Sequence, residues 1–247
     1  MSDVRENLAR VRDRLAEACR KAGRAPGSVK LVAVSKFQPL ERLVAAYEAG
    51  QRAFGENYVQ NMEARAKSFE TLEHMGGTGG DLEWHLIGHL QSNKARRALA
   101  AAWIHSVDSE RIGRALARAA AQAAAQAAAQ AAAQDAAPAA VKCHVLVEVN
   151  LAAEPAKTGV LTHELPELLS ALGALPTVTV GGLMCIPPEG QGRRHFAELR
   201  ELRDDLERSH GVRLPELSMG MSADFEDAIL EGATIVRVGT SIFGERA

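Results

Sequence analysis

A single lysine, Lys36, directly follows the apolar run LVAVS at positions 31–35, which contains no charged residue. A run of this composition is typical of a strand buried on both faces, and it places the amine at the carboxyl end of that strand. Partial burial favours the neutral amine, which is a nucleophile and forms a Schiff base with a carbonyl compound. The alternatives are that the side chain extends into water or pairs with Glu56. The pattern therefore indicates covalent chemistry with an aldehyde or ketone.

Two loops near the end of the chain have the residue types of an anion site. MGMS at 219–222 precedes a predicted helix, and free N–H groups at a helix start bind anions together with a hydroxyl such as that of Ser222. GTS at 239–241 adds bare backbone at Gly239 and the hydroxyl of Thr240. In the alternative interpretation the glycines only form turns and Ser222 only caps the helix. The two loops together favour a phosphate site.

An amine for an aldehyde and an anion site for a phosphate describe pyridoxal 5′-phosphate (PLP). Arg237 adds a third group, because alternation along TIVRVG at 234–239 puts it on the same side of the strand as Gly239. A guanidinium beside the pyridine nitrogen would donate a hydrogen bond and disfavour protonation of that nitrogen, and an unprotonated ring is a poor electron sink. A buried structural ion pair is the alternative role for Arg237.

Alternating strands and helices would position these groups. An amphipathic helix opens the chain with apolar residues from Val4 to Ala18, and the predicted strands are 31–36, 52–57, 84–88, 103–108, 141–150, 178–184, 216–220 and 234–239. The predicted helices that follow are 40–49, 58–72, 93–102, one that Ser109 caps, 163–175, 193–209 and 223–231. This α/β alternation favours a single (β/α)8 TIM-type barrel with an extra N-terminal helix. A doubly wound open sheet is the alternative, although no GxGxxG motif follows the first strand.

The active face of such a barrel lies at the carboxyl ends of its strands, where candidate site residues are therefore expected. The candidates are Lys36, Glu56, Asn57, His85, His89, Gln91, Asp108, Asn150, Met184, the segment 218–222, Arg237, Gly239 and Thr240. His85 and His89 have an HxxxH spacing that straddles a strand and a loop, so no metal site is predicted. His105 and His144 lie inside strands and are interpreted as core or packing residues, and Glu148 as a side chain that points into the barrel.

The amino-acid composition argues against several classes of function. Lys and Arg number 29 and Asp and Glu 31, so an overall basic surface for nucleic acid is absent. No apolar run is long enough to span a membrane, and the opening MSDVRENLARVRDRL lacks the apolar stretch of a secretory signal. Three widely separated cysteines fit neither a disulfide framework nor a zinc knuckle. A cytoplasmic protein that binds neither nucleic acid nor membrane is therefore expected.

An AAAQ repeat that ends at Gln134 predicts a low-complexity Ala/Gln helix over about 114–138. Its face is only weakly apolar, so this helix is expected to project past the body of the fold or to fray, and Pro138 would end it. GGTGGD at 76–81 predicts a flexible loop. Residues 1–247 are otherwise expected to form a single barrel domain.

Eight motifs lie in order along almost the whole chain: LVAVSK (31–36), FGENYVQ (54–60), WHLIGHLQSNK (84–94), HSVDS (105–109), VEVNLAAEPAKTGV (147–160), GGLMCIPP (181–188), LSMGMSADFEDAI (217–229) and VRVGTSIFGER (236–246). Together they resemble the PLP homeostasis protein family, whose fold is similar to the N-terminal domain of alanine racemase. The resemblance implies that Lys36 holds PLP as an internal aldimine and that Arg237 faces the pyridine nitrogen. It also implies phosphate contacts from Ser222, Gly239 and Thr240, and it places Asn57, His85 and Met184 around the cofactor.

The resemblance further implies a carrier that supplies or buffers PLP for apoenzymes without efficient catalysis, and a monomer is expected. The alternative is a small amino-acid racemase, which needs acid and base groups on both faces of the substrate's α-carbon. Alanine racemases obtain the second group as a tyrosine from a β-rich second domain, which is not expected after the eighth strand here. The only tyrosines of this chain are Tyr47 and Tyr58. Only Tyr58 is predicted to lie near the strand ends, so the carrier interpretation is favoured.

Overall fold

The sheet is a closed barrel of eight parallel strands. A computed structural model describes residues 3–74, 81–134 and 141–244. The strands are β1 (Lys30–Val34), β2 (Ala53–Glu56), β3 (Glu83–Leu86), β4 (Trp103–Val107), β5 (Cys143–Glu148), β6 (Val178–Met184), β7 (Glu216–Ser218) and β8 (Ile235–Val238). Each strand pairs with the next, and β8 pairs with β1 to close the sheet. The predicted (β/α)8 barrel is therefore confirmed, and the open doubly wound sheet is excluded.

Helices surround the barrel, and each of those described follows a strand except α1, which precedes β1. They are α1 (Val4–Lys21), α2 (Leu40–Glu48), α3 (Val59–His74), α4 (Ala95–Ala98), α5 (Glu110–Ala133), α6 (Leu165–Gly173), α7 (Gly192–His210), α8 (Phe225–Leu230) and α9 (Thr240–Phe243). The helix predicted over 93–102 is shorter, because Ala102 already donates its N–H to the Trp84 carbonyl (2.8 Å) and so begins the pairing of β4 with β3. The short α9 after β8 was not predicted.

The N-terminal helix α1 braces the end of the barrel sheet. The Asp3 side chain caps it by accepting the Arg5 N–H (2.9 Å), and one face buries Leu8 and Val11 against α8 and α9. The amide of Asn7 donates to the Ile242 carbonyl (2.9 Å) inside α9. This packing fixes the segment that follows β8, which carries two of the predicted phosphate residues.

The strands are apolar because both of their faces are buried. Outward side chains such as Phe54 and Val145 pack under the helices in the main core. Inward side chains form a second, smaller cluster inside the barrel, which consists of Val32, Ala53, Leu146, Met184 and Ile235. The barrel interior is therefore a packed core rather than a channel, and it forms the floor under the strand ends.

The Ala/Gln helix α5 is 24 residues long, and its buried residues end at Ala120. Beyond that residue its side chains are exposed or half-buried, and residues 135–138 of the predicted extension lie outside the described residues. Ser109 occupies the position before the helix, but its side chain makes no capping hydrogen bond. The loop predicted at 76–81 falls almost entirely outside the described ranges. None of the described helices combines the length and the apolarity needed to cross a bilayer.

Candidate ligand-binding site at the barrel mouth

A cavity of about 360 Å³ opens at the carboxyl ends of β1, β7 and β8, where a barrel carries its site. It is lined by Val34, Lys36, Asn57, Ile87, Ile186, Met221, Ser222, Ala223, Arg237, Gly239 and Thr240. The cavity thus brings together six of the eight residues that the resemblance places around PLP, from four different strand ends. His85 and Met184 are the two that do not line it. The other candidates Glu56, His89, Gln91, Asp108 and Asn150 also lie outside its lining.

Lys36 is presented by a strained turn. Residues 35–38 form this turn, which the Gln38 N–H closes by donating to the Ser35 carbonyl (3.1 Å). Phe37 has a φ of 63°, a left-handed conformation that costs a non-glycine residue about 1–3 kcal/mol. Ser35 ties the turn to β2, because its Oγ donates to Glu56 Oε1 (2.7 Å). The half-buried Lys36 side chain therefore starts from a fixed point on the rim.

The two predicted phosphate loops meet at Ser222. Its Oγ accepts the backbone N–H groups of Gly239 (3.2 Å) and Ser241 (3.3 Å), so the loop after β7 is held against the loop after β8. Within the described residues, the backbone N–H groups of Ser222, Ala223 and Thr240 donate to no protein acceptor. All three residues line the cavity. Converging free N–H groups and hydroxyls form a concave anion site.

The expected helix start is displaced in the structure. Helix α8 begins at Phe225 rather than at Ala223, because the Asp224 carboxylate accepts the Met221 N–H (2.7 Å) and closes a turn before the helix. Gly220 makes this turn possible, since its φ is +90° and a Cβ there would lie 2.5 Å from the Cβ of Ala228. The anion site is thus built from a turn and not from the first turn of α8.

Arg237 is a buried cation at the floor of the cavity. Its Nη1 donates to Ser218 Oγ (2.6 Å) and its Nη2 to the Cys185 carbonyl (3.0 Å). Within the described ranges its side-chain partners are a hydroxyl and a carbonyl and not a carboxylate, so the alternative role in a structural ion pair is not seen there. Burial lowers the pKa of Arg237 from its usual value. A buried cation held by neutral partners favours an electron-rich ligand above it.

His85 and Met184 lie deeper than the cavity. His85 is fully buried in β3, and its Nδ1 lies 2.9 Å from Nε2 of His105 in β4. Met184 belongs to the apolar cluster inside the barrel. The interpretation of His105 as a core residue fits its complete burial, whereas His144 is exposed and only stacks near Trp103, with the ring centroids 5.3 Å apart.

Glu56 lies behind the Lys36 turn. It is buried, it accepts the Ser35 hydroxyl, and its Oε1 lies 3.2 Å from Arg65 Nε. Burial raises the pKa of Glu56 above its usual value, although Ser35 and the nearby cations oppose that shift. Its role in the structure is to fix the Lys36 turn and α3.

Several other candidates support loops. The Asn150 amide donates to the Glu154 carbonyl (2.9 Å), and its Oδ1 accepts the Glu154 N–H (3.1 Å). The Glu148 carboxylate accepts the Thr158 hydroxyl (2.7 Å), and burial raises its pKa. Among the described residues, no group of three or more His, Cys, Asp or Glu is arranged to hold a metal ion.

The sequence interpretation missed the apolar walls of the cavity. Ile87 directly follows β3, and Ile186 follows β6 by two residues. Ile186 and Met221 are also among the few exposed large apolar side chains of the protein, so the mouth has an apolar rim. The position of Ile87 and Ile186 after strand ends is a usable signal for such walls.

The residues at the mouth fit PLP. One cavity with apolar walls is lined by an amine, an anion site and a cation able to donate to a ring nitrogen. Three N–H groups of the anion site donate to no acceptor among the described residues. A flat aromatic ring would pack against apolar side chains such as Ile87 and Ile186. The polar substituents of the ring would then contact the polar side chains and N–H groups of the cavity. The donor set therefore matches the aldehyde, the phosphate and the ring of that cofactor.

Comparison with known proteins agrees with the fold. The family model for the alanine racemase N-terminal domain matches residues 6–247. In three dimensions, alanine racemase from Corynebacterium glutamicum has a TM-score of 0.63 at 17% identity, and the match covers 96% of this chain and 61% of that one. The fold and the site thus define a barrel of the alanine racemase N-terminal type.

Sequence similarity over nearly the full length of both chains identifies the family within this fold. A PLP homeostasis protein from Aquifex aeolicus (strain VF5) is 42% identical, over 98% of this chain and 97% of its own. The PLP homeostasis protein of Escherichia coli (strain K12) is 39% identical, over 100% and 98%. The structure of PipY from Synechococcus elongatus PCC7942 with PLP bound has a TM-score of 0.78 at 37% identity, over 98% of this chain and 100% of that one. This chain belongs to the PLP homeostasis protein family.

Proposed function

We propose that this protein binds PLP at the barrel mouth and holds it covalently on Lys36, as a PLP homeostasis protein. The observation that carries the proposal is that the Lys36 amine and the anion site of Ser222 and Thr240 line the same cavity. When bound, PLP supplies an aldehyde that condenses with an amine to a Schiff base and water. The names of the relatives and the PLP in the PipY structure support the proposal.

Each residue of the mouth has a proposed role. Lys36 provides the amine. The phosphate is held by Ser222, Gly239 and Thr240. Arg237 donates a hydrogen bond to the pyridine nitrogen. Asn57 lies on the cavity wall and contributes a polar contact to the cofactor. For His85 and Met184, which lie below the cavity, contact with the cofactor stays a prediction.

We favour a carrier over a racemase because, among the described residues, neither tyrosine lines the cavity as the second acid–base group. Tyr47 is buried in α2 and its hydroxyl lies 3.1 Å from Asp81 Oδ1, while Tyr58 is exposed beside the neighbouring pocket. A guanidinium at the ring nitrogen also opposes the electron withdrawal that racemisation needs.

As a carrier, the protein would supply PLP to apoenzymes in the cytoplasm as a monomer. Hydrolysis of the Schiff base returns the free aldehyde and the Lys36 amine, so loading is reversible without a further reactant. The three cysteines are free and buried, which supports a reducing compartment. The molar mass measured by light scattering tests whether the protein is a monomer. Reconstitution of an apoenzyme by the PLP-loaded protein tests the transfer of PLP.

The covalent link is tested by reduction and mapping. The purified protein with PLP should show the visible absorbance of a Schiff base, and borohydride should fix the label on the peptide that contains Lys36. Lys36→Ala should lose both signals, whereas Lys94→Ala, a lysine in the adjacent pocket, should keep them. Wild-type protein that stays colourless with PLP would overturn the proposal.

Alanine turnover separates the carrier from the racemase. With protein in excess over L- or D-alanine, we expect no appreciable racemisation. Robust turnover that disappears in both Lys36→Ala and Tyr58→Phe would favour the enzyme instead. Turnover that persists in Lys36→Ala would come from a contaminant.

A further inference from the structure

A chain of buried polar side chains crosses the barrel below the cavity. Arg237 Nη1 donates to Ser218 Oγ (2.6 Å), which lies 2.9 Å from His105 Nδ1. His105 Nε2 lies 2.9 Å from His85 Nδ1. On the far side, His85 Nε2 lies 3.5 Å from a carboxylate oxygen of Glu83. These side chains come from β8, β7, β4 and β3, so the chain joins opposite sides of the barrel.

The groups at the two ends of the chain together favour one direction for its hydrogen bonds. A guanidinium only donates, so Ser218 accepts from Arg237, and within the described residues its own hydrogen has His105 Nδ1 as its acceptor. His105 must then carry its proton on Nε2 and donate it to Nδ1 of His85. His85 in turn carries its proton on Nε2, which faces Glu83.

Both ends of the chain favour the same direction. In the reverse order the lone pair of His85 Nε2 would face the carboxylate of Glu83, and the Ser218 hydrogen would lose its acceptor. Glu83 is itself paired with Lys30 at the amino ends of the strands. The contact of His85 Nε2 with Glu83 is too long for a full hydrogen bond and acts as a charge–dipole interaction.

We propose that Ser218, His105 and His85 form an ordered relay that positions the Arg237 guanidinium for the pyridine nitrogen. The inference rests on the proposed binding of PLP. Ser218 and the Cys185 carbonyl together hold Nη1 and Nη2, which leaves the remaining N–H groups of Arg237 for the cavity. Because the relay ends on a donor-only cation, it offers no acceptor that could share a proton with the ring.

The relay also keeps both histidines neutral. His105 and His85 are fully buried, and burial lowers the pKa of each below its usual value, well below it for His105. The cations Arg237 and Lys30 act in the same direction on His105, and Glu83 opposes the shift for His85. A second positive charge next to Arg237 is therefore avoided.

The hydrogen order can be tested on the protein without PLP. Long-range ¹H–¹⁵N correlation of ¹⁵N-histidine protein should show His85 and His105 neutral and protonated on Nε2 at pH 7. Ser218→Ala removes the donor to His105 Nδ1 and should shift the His105 signals toward a mixture of tautomers. An Nδ1–H tautomer at either residue of the wild-type protein would overturn the relay.

The positioning role is tested with PLP. Ser218→Ala should raise the rate of PLP release about threefold to tenfold and shift the absorption band, because Arg237 loses one of its two anchors. Ser106→Ala is the matched control. Ser106, in β4, is buried like Ser218, but its hydroxyl donates to the Gly88 carbonyl (2.6 Å), outside the relay. It should leave the band and the His105 signals unchanged.

The outcomes separate the two proposals. A wild-type protein with the expected tautomers but no bound PLP contradicts the proposed function and leaves the hydrogen order standing. A wild-type protein that binds PLP, together with Ser218→Ala protein whose band and release rate are unchanged, contradicts the positioning role alone.

Discussion

At the scale of single residues, the anion site depends on one hydroxyl. Ser222 Oγ accepts two backbone N–H groups from the loop after β8, and its own hydrogen is then available to a phosphate oxygen. Ser222→Ala should weaken PLP binding by about 1–3 kcal/mol, or roughly fivefold to 150-fold, which is typical for a hydrogen bond to a charged group. Equilibrium titration of the absorption band measures the change.

Pyridoxal, which lacks the phosphate, is the control for that prediction. Its affinity should be nearly the same for wild-type and Ser222→Ala protein, because the hydroxyl has no phosphate to contact. Equal weakening of both ligands would instead mean that Ser222 acts only by holding the two loops together.

The sequence predicted single residues well where one residue type stands out. Lys36 is the charged residue that directly follows the apolar run 31–35, and Arg237 is the only charged residue inside its strand, so the sequence predicts both. The partners of Arg237 could not be predicted, because they depend on how β6 and β7 register beside β8. Nothing in the sequence indicates the left-handed backbone of Phe37.

At the scale of elements, α5 combines a packed first half with an exposed second half. Ala120 is fully buried, whereas Ala128, two turns later, is exposed. Ala120→Gly should lower the free energy of unfolding by about 1–2 kcal/mol through lost helix propensity and lost packing. Ala128→Gly should lower it by less than about 0.5 kcal/mol, because the far end of the helix can unwind on its own.

Urea unfolding of both alanine variants measures the difference, and hydrogen exchange locates it. Exchange should be faster beyond Ala120 in the wild-type protein than before it. Equal destabilisation by the two substitutions would show that the far end of α5 is packed and unfolds together with the barrel.

The strands were easier to predict than the short helices. Apolar runs such as LVAVS mark strands buried on both faces, and all eight strands were placed with each end within two residues of the observed one. The ends of α3, α4, α6 and α8 differ from the prediction by two or more residues, and by up to four in α4. At α4 and α8 the cause is strand pairing and a local turn, which override helix propensity. The four-residue α9 is too short to give a periodic signal.

At the scale of the whole molecule, polar side chains connect the carboxyl ends of the barrel strands to their amino ends. The proposed cofactor lies at the carboxyl ends of the strands, and the relay below it reaches the pair of Glu83 and Lys30 at the amino ends. That residues 1–247 form one domain stays a prediction. The charge balance of this far end is expected to affect the stability of the entire barrel.

Glu83 makes the free energy of unfolding depend on pH in the acid range. Its contacts with His85 and Lys30 lower its pKa from 4.5 to about 2. A carboxylate with a depressed pKa in the folded state stabilises the fold above its unfolded pKa, and this stabilisation is lost as the pH falls from about 4.5 towards about 2. Glu83→Gln removes this proton linkage, so its free energy of unfolding should depend less on pH between about 5 and 3 than that of the wild type.

The size of that difference is limited by solvent, because the Glu83 side chain is 44% exposed. We therefore expect the slope of stability against pH to fall by a fraction of one proton, measured by urea unfolding at several pH values. Glu201→Gln, which removes an exposed carboxylate on α7 away from the barrel ends, is the control and should leave the slope nearly as in the wild type. If Glu83→Gln and Glu201→Gln have the same slope as the wild type, Glu83 is not held by His85 and Lys30 in solution, and its carboxylate does not orient the far end of the relay.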